Sequence, residues 1–304
     1  MSVFVIGEMA SAHDGDVDKA KRLVDVAVAA GCDAVKVQFW SDADQLADRR
    51  KVPLYYRDIY KKYQIPVEWL AILKRHCGDR IEFMATCFLP QDANVISPFV
   101  KRFKVSAFEA QANDLLRAVF VEAKHRQVII SVNQMMPMSD LIKSNQMIMT
   151  ATTHQRMFRK FFKWGSDAKH SDWQWQHRDT SRAQSIADAT FSKTEVLMYC
   201  VSEYPATLAS VDLSQIRKYS AWPVGFSDHT GDLAMGAFAV CAGATYIEAH
   251  MKLVNTDALN PDGGPFAHLP RAFKQYVKNI RKAESVGYGE TLPASMHKYR
   301  VMTP

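Results

Sequence analysis

The sequence predicts an α/β chain folded as a (β/α)8 TIM barrel, and three observations predict it. Short runs rich in Val, Ile, Phe and Met alternate with longer helical patterns, the signature of repeated βα units around a parallel sheet. Eight such runs occur, which favours a closed barrel over an open doubly wound sheet. The length, 304 residues, is close to that of a typical barrel of this kind. No G-x-G-x-x-G follows the first run, which weighs against dinucleotide binding.

The strands are expected near Val3–Ile6, Ala34–Gln38, Glu82–Ala85, Arg102–Val105, Val128–Val132, Glu195–Cys200, Val224–Ser227 and Tyr246–His250. Each is short and dominated by apolar residues, as strands covered on both faces must be. Between them, Asp16–Ala30 carries Val17, Ala20, Leu23, Val24, Ala27 and Val28 at helical spacing and stops at Gly31, a residue suited to the left-handed position after a helix. Val67–Cys77, Asn113–His125, Asp232–Ala242 and Arg271–Ser285 read as helices too, with Gly243 and Gly287 following the last two. Asn113 and Asp232 are expected as N-caps. Residues 1–290 are therefore read as one catalytic barrel and 291–304 as a tail. The stretch from Met135 to about Thr190 is too long for a strand–helix–strand connection and is crowded with Met, Trp, His and basic residues. It reads either as a surface excursion or as a lid or partner surface, since long loops in compact domains are often functional.

Composition narrows the function. No stretch is apolar for the ~18 residues a membrane span needs, and Met1–Glu8 reads as a buried strand rather than a signal peptide. Five cysteines without any C-x-x-C pair suit a reducing compartment, hence the cytoplasm. The net charge of +6 is mild and no basic run of five or six residues occurs, so no nucleic-acid partner and no membrane partner are expected. A small anionic substrate fits that charge equally well.

In such a barrel the active site is assembled at the C-terminal ends of the strands. The polar residues expected there are Glu8, Lys36, Gln38, Thr86, Lys104, Glu109, Ser131, Ser202, Tyr204, Ser227, Asp228, His229, Glu248 and His250. Buried Lys36 and Lys104 need counter-charges, which a bound phosphate or carboxylate supplies, with Thr and Ser hydroxyls as neutral donors. His229 and His250 end adjacent strands and are candidate ligands for one divalent metal.

These residues stand in motifs that resemble the sialic acid synthases (N-acetylneuraminate synthases). Ile6-Gly-Glu-Met-Ala-Ser-Ala-His-Asp-Gly15 is similar to the family's I-G-E-x-x-x-N-H-x-G, and Ala34-Val-Lys-Val-Gln38 to A-V-K-x-Q. Phe83-Met-Ala-Thr86 resembles F-x-S-T, and Phe103-Lys104 resembles Y-K-I, with Glu109 at its acidic position. Ser202-Glu-Tyr-Pro205 matches S-E-Y-P, Gly225-Phe-Ser-Asp-His-Thr230 resembles G-x-S-D-H-T, and Gly243–His250 follows G-A-x-x-I-E-x-H. Seven motifs in the right order cover the barrel outside Met135–Thr190.

The resemblance implies a reaction in which phosphoenolpyruvate condenses with the aldehyde of an open-chain amino sugar. It implies Mn2+ or Mg2+ on His229 and His250, acting on the aldehyde oxygen. Phosphoenolpyruvate would be held by Lys36, Thr86, Lys104, Ser131 and Ser227, and the sugar by Gln38, Glu109, Tyr204 and Asp262. The catalytic set would be Glu8, positioning or activating water, together with Lys104 and Glu248. Departures are visible as well. The family's N-H is Ala12-His13, its S-G-E is Ala107-Phe108-Glu109, S-T-G-M is Ser131-Val-Asn-Gln134, and a histidine near strand six is Tyr199. Its G-P-D stands here as Asn260-Pro-Asp-Gly-Gly264. The chain given ends at Pro304, where the family's linker to an antifreeze-like domain would begin. That implies a different sugar, a separate capping partner, or a cap built from Met135–Thr190, while the resemblance itself implies a homodimer. Two other readings remain: a silent barrel acting as a binding subunit, and a Schiff-base aldolase using Lys104 or Lys36.

Overall fold

Eight parallel strands close in the order β1-β2-β3-β4-β5-β6-β7-β8, a (β/α)8 barrel, in the computed structural model. Residues 2–133, 195–218 and 223–286 are described; the expected insertion at 135–190, the tail at 291–304, and Gln134 and Gly287 lie outside them. The strands are β1 Phe4–Ala10, β2 Ala34–Phe39, β3 Glu82–Cys87, β4 Phe103–Val105, β5 Val128–Asn133, β6 Glu195–Cys200, β7 Val224–Asp228 and β8 Tyr246–His250. All eight fall where the apolar runs placed them, with ends shifted by a few residues.

The chain divides into two compact units, one formed by Met1–Lys36, His76–Glu82 and Met198–Pro304, the other by Val37–Arg75 and Phe83–Leu197. In the first, helix α1 (Val17–Ala30) buries Ala20, Leu23, Val24 and Ala27, a stripe at helical spacing that leaves its charged residues outward. Asp16 caps it by accepting from the Asp18 and Lys19 N–H groups, and Gly31 closes it at φ 85°. That φ is cheap only for glycine. Each residue so buried in a core contributes on the order of 1.5–3 kcal/mol for a Leu- or Val-sized side chain.

Strand β8 is central to this unit. It pairs with β1 so that Glu8 lies opposite His250, and with β7 so that Ser227 lies opposite Glu248. Side chains alternate across a strand, so Glu248 and His250 share one face and Ile247 and Ala249 the other. Helix α8 (Met235–Cys241) packs against β8, and helix α9 (Pro270–Ser285) packs against α8. Gly236 of α8 lies where any Cβ would collide with the Tyr276 ring of α9, so the two helices meet there because the residue is glycine.

In the second unit, α2 (Ala43–Arg50) and α3 (Leu54–Tyr63) follow β2, and α4 (Glu68–Cys77) leads toward β3. Only α4 was expected. Helix α2 reads as polar throughout, and its small buried face of Ala43, Leu46 and Ala47 is too narrow to announce a helix by periodicity. Ala43 and Leu46 pack with Trp40, Tyr63, Phe88 and Leu89. Helix α5 (Pro90–Ile96) was not expected either, although Pro90 opens it. Helix α6 (Asn113–Ala123) also belongs to this unit, and α7 (Ser214–Lys218) is a short piece of the first.

Two expected caps are corrected. Asn113 is the first residue of α6 rather than its cap; Ala112 occupies the cap position and makes no side-chain bond. Helix α8 begins three residues after Asp232, which instead accepts a hydrogen bond from the Ala234 N–H at 2.7 Å.

Cys32, Cys77, Cys87 and Cys200 are buried, Cys241 is half-buried, and all five are free thiols. Among the described residues no helix is long and apolar enough to cross a membrane.

Candidate functional site

Strand alternation sets Glu8, Lys36, Ser227, Glu248 and His250 at strand ends, and all five are buried. Burying so many polar groups is costly unless they satisfy one another. Lys36 is ion-paired with Glu8, and its Nζ lies 3.6 Å from Glu248 Oε2. Glu8 Oε1 also accepts the Ala10 N–H at 2.6 Å, made possible by the turn of the backbone at Ala10 (φ 42°). Ser227 Oγ donates to Glu248 Oε1 at 2.9 Å. The result is a compact array of one ammonium, two carboxylates and one hydroxyl.

The histidines flank this array. His229 Nδ1 lies 2.7 Å from the Val201 carbonyl, a contact that requires Nδ1 to carry the proton and donate. Nε2 is then the nitrogen that presents a lone pair, 3.5 Å from Ser227 Oγ. His250 Nδ1 lies 3.4 Å from Asp262 Oδ1. Asp262 is itself held through Oδ2 by the Ser11 N–H at 3.0 Å and the Ser11 hydroxyl at 2.5 Å. Burial acts to raise the Asp262 carboxyl, but His250 beside it and the hydrogen bonds from the Ser11 N–H and hydroxyl bring it below its ordinary range. Asn260 ties the same turn to Ser11 and Asp14. Tyr204 is half exposed and its ring lies 4.2 Å from that of His229 and 5.1 Å from Phe266.

The two imidazole rings lie 5.4 Å apart, centre to centre. That separation is within reach of a shared divalent ion with metal–nitrogen bonds of about 2.1 Å. Orientation of the His229 ring through Nδ1 by the Val201 carbonyl is the usual companion of metal ligation through Nε2. Among the described residues no group of three or more His, Cys, Asp or Glu side chains gathers for a metal.

Asp228, between Ser227 and His229, does different work. It accepts from Thr230 N–H and Oγ1 at 2.8 and 2.7 Å and from the Tyr276 hydroxyl at 2.8 Å. It pins α9 to β7, and burial raises its carboxyl above the ordinary value.

In the second unit, Thr86 lies opposite Lys104 in the β3–β4 register, and Lys104 Nζ donates to Ser131 Oγ at 2.9 Å. All three are buried. Gln38 is half-buried near the end of β2. Glu109 opens a 3-10 turn after β4 and is buried against Arg50 and Ser106. A groove of about 270 Å3 lies elsewhere, between α1 and α9, and no strand-end residue lines it.

The NeuB family model matches residues 23–291. The chain belongs to the NeuB family. It is similar to the N,N'-diacetyllegionaminic acid synthase of Legionella pneumophila, at 29% identity over 97% of this chain and 76% of that protein. It also resembles the pseudaminic acid synthase of Campylobacter jejuni, at 25% identity over 93% of this chain and 74% of that protein. Among solved structures, the N-acetylneuraminic acid synthetase of Leptospira borgpetersenii superposes with a TM-score of 0.72 at 21% identity, covering 98% of this chain and 90% of that one. That likeness bears on the fold.

For this NeuB family member, sequence reasoning placed all of the strand-end residues on one rim, with Lys36, Thr86, Lys104, Ser131 and Ser227 as a single anion-binding set. Glu8, Lys36, Ser227, His229, Glu248 and His250 lie in one unit, and Thr86, Lys104 and Ser131 lie in the other. Sequence reasoning missed Ser11, Asn260, Phe266 and Arg50. Ser11 and Asn260 are 249 positions apart in the chain, and no local pattern relates them. The Ser11 position, one before Ala12, was legible only as part of the first motif.

Proposed function

We propose that residues 1–290 form a catalytic barrel that condenses phosphoenolpyruvate with the aldehyde of an open-chain amino sugar, giving a nonulosonic acid and inorganic phosphate. The observation that carries this reading is the His229–His250 pair beside the buried Glu8–Lys36–Glu248–Ser227 array. The family membership and the synthase names of the relatives support it.

Phosphoenolpyruvate brings a phosphate and a carboxylate. Lys36, Thr86, Lys104, Ser131 and Ser227 would supply two ammonium groups and three hydroxyls to bind them. With that anion bound, the burial of Lys36 and Lys104 is compensated further. Gln38, Glu109, Tyr204 and Asp262 are assigned to the sugar. Mn2+ or Mg2+ would be held by His229 and His250, and when bound supplies Lewis-acid polarisation of the aldehyde oxygen.

In the reaction, the C3 carbon of phosphoenolpyruvate attacks the aldehyde carbon and a C–C bond forms. The aldehyde oxygen takes a proton and becomes a hydroxyl. Water adds at C2, and the C–O bond to phosphate breaks, so that the pair of electrons leaves with phosphate and C2 becomes a ketone. Glu8 orients that water through its carboxylate, and it is fixed for this by Lys36 and the Ala10 N–H. Glu248, positioned by Ser227, supports the same step, and Lys104 binds the developing negative charge.

Phosphate release with Mn2+, phosphoenolpyruvate and a panel of amino sugars that includes N-acetylmannosamine tests the proposal. Sugar-dependent release that His250→Ala abolishes is the expected result. Neither release nor phosphoenolpyruvate binding would favour a silent barrel used for binding.

A further inference from the structure

Arg50, near the end of α2, was not anticipated as a functional residue, and its surroundings single it out. Its Nε and Nη2 both donate to Glu109 Oε1, at 2.9 and 2.6 Å, and Nη1 donates to the Tyr60 hydroxyl at 3.1 Å. Ser106 Oγ bonds to the other Glu109 oxygen. The guanidinium lies 5.0 Å from the Phe88 ring centre and 5.2 Å from that of Phe108. Glu109 is 1% exposed, the Arg50 side chain 20% and Phe108 58%. Helix α2 follows β2, and Phe108 and Glu109 follow β4. Both therefore belong to the strand-end connections from which barrels build substrate sites. Phe108 also stands where the resembling motif has glycine, so the ring over the guanidinium is a feature of this chain.

We propose that Arg50, paired with Glu109 and covered by Phe108, is a specificity-determining residue that contacts an uncharged hydrogen-bond acceptor on the sugar, such as an N-acyl carbonyl. This rests on the synthase reading above. A guanidinium has five N–H groups; among the described residues three have the partners just named, and two remain for a ligand. Glu109 already neutralises the cation, so the pair as a whole brings no net charge. A phosphate ester would meet a neutral pair with a carboxylate beside it, whereas an amide carbonyl needs only the remaining donors. The exposed Phe108 ring gives an acyl methyl group an apolar surface to lie on.

A buried Arg–Glu pair can also be purely structural, and loss of one partner alone endangers the fold. The test therefore uses the double variant Arg50→Met/Glu109→Gln, which removes both charges together. Wild type and double variant are titrated with N-acetylmannosamine, a 2,4-diacetamido-hexose and N-acetylmannosamine 6-phosphate by ligand-observed NMR, with phosphoenolpyruvate binding followed alongside. The expected result is that wild type binds an N-acylated neutral sugar in preference to the 6-phosphate. The folded double variant binds that sugar about tenfold more weakly, the loss of a charged hydrogen bond, and still binds phosphoenolpyruvate. Arg50→Lys, which keeps charge but not the fork, follows the double variant.

A folded double variant with wild-type sugar affinity overturns the proposal, since the pair is then only structural. So does a wild type that prefers the 6-phosphate or binds none of the three sugars. Failure of the synthase reading looks different: wild type binds sugar and phosphoenolpyruvate yet releases no phosphate from the two together.

Discussion

Ser227 and Glu248 lie directly opposite one another in the β7–β8 register, and the serine hydroxyl donates to the glutamate at 2.9 Å. Both are buried, so this is a hydrogen bond to a charged group out of contact with bulk water, worth about 1.5–3 kcal/mol. Ser227→Ala should lower the unfolding free energy by an amount of that order in urea titrations. It should also raise the KM for phosphoenolpyruvate more than that for the sugar. Unchanged stability together with unchanged KM values would show that the hydroxyl neither holds Glu248 nor meets substrate.

Glu8 and Lys36 form the most deeply buried ion pair of the site, with side chains 1% and 3% exposed. Removal of one partner from such a pair typically costs about 3–5 kcal/mol, because the other charge stays buried, whereas removal of both can be nearly neutral. Lys36→Met should therefore destabilise the fold strongly, and Glu8→Gln/Lys36→Met should recover much of the loss. Both variants should be inactive. Chemical denaturation of the two side by side checks the stability order, and an additive double variant would mean that the two side chains do not act as a pair.

The strands were legible because a strand covered on both faces must be apolar almost throughout, and few other segments of this chain are. The site residues at their ends were legible for the complementary reason. Lys36, Lys104, Glu248 and His250 interrupt runs that packing alone would fill with Val or Ile. Helices α2 and α3 were not, since a helix with a narrow buried face looks polar at every period. Contacts between distant segments were not legible either: Arg50 meets Glu109 across 59 positions and Ser11 meets Asp262 across 251. Asp262 was expected against the sugar, and its Oδ1 also lies 3.4 Å from His250 Nδ1. Asp228 looked like a site residue because it sits between two of them, but alternation along β7 turns it toward Tyr276.

Metal binding should depend on both histidines and on the partners that orient them. Isothermal titration of the protein with Mn2+ should show one site that His229→Ala or His250→Ala removes. Asp262→Asn, which keeps the shape but loses the charge beside His250 Nδ1, should weaken binding by about 10–100-fold, as changes to orienting partners usually do. An Asp262→Asn protein with wild-type Mn2+ affinity would mean that the aspartate has no part in orienting His250.

His13 offers the clearest pH dependence. It is buried, and burial lowers its pKa from 6.5 to about 4, despite Asp262, Asp14 and Asp16 nearby, which act to raise it. Its Nδ1 accepts the Gly15 N–H at 3.0 Å, a bond that a protonated Nδ1 cannot make. The folded state therefore binds fewer protons at this residue than the unfolded state between pH 4 and 6.5. By linkage, the stability contributed by His13 is present above pH 6.5 and is lost as pH falls toward 4. The shift corresponds to about 3 kcal/mol at one pKa unit per 1.36 kcal/mol. His268, also lowered to about 4 by burial, adds a slope in the same window and of the same sign. Unfolding free energies measured from pH 4 to 7 should rise with pH for wild type, and the rise should be shallower for His13→Gln. A slope that His13→Gln leaves untouched would mean that the histidine enters the folded state already charged.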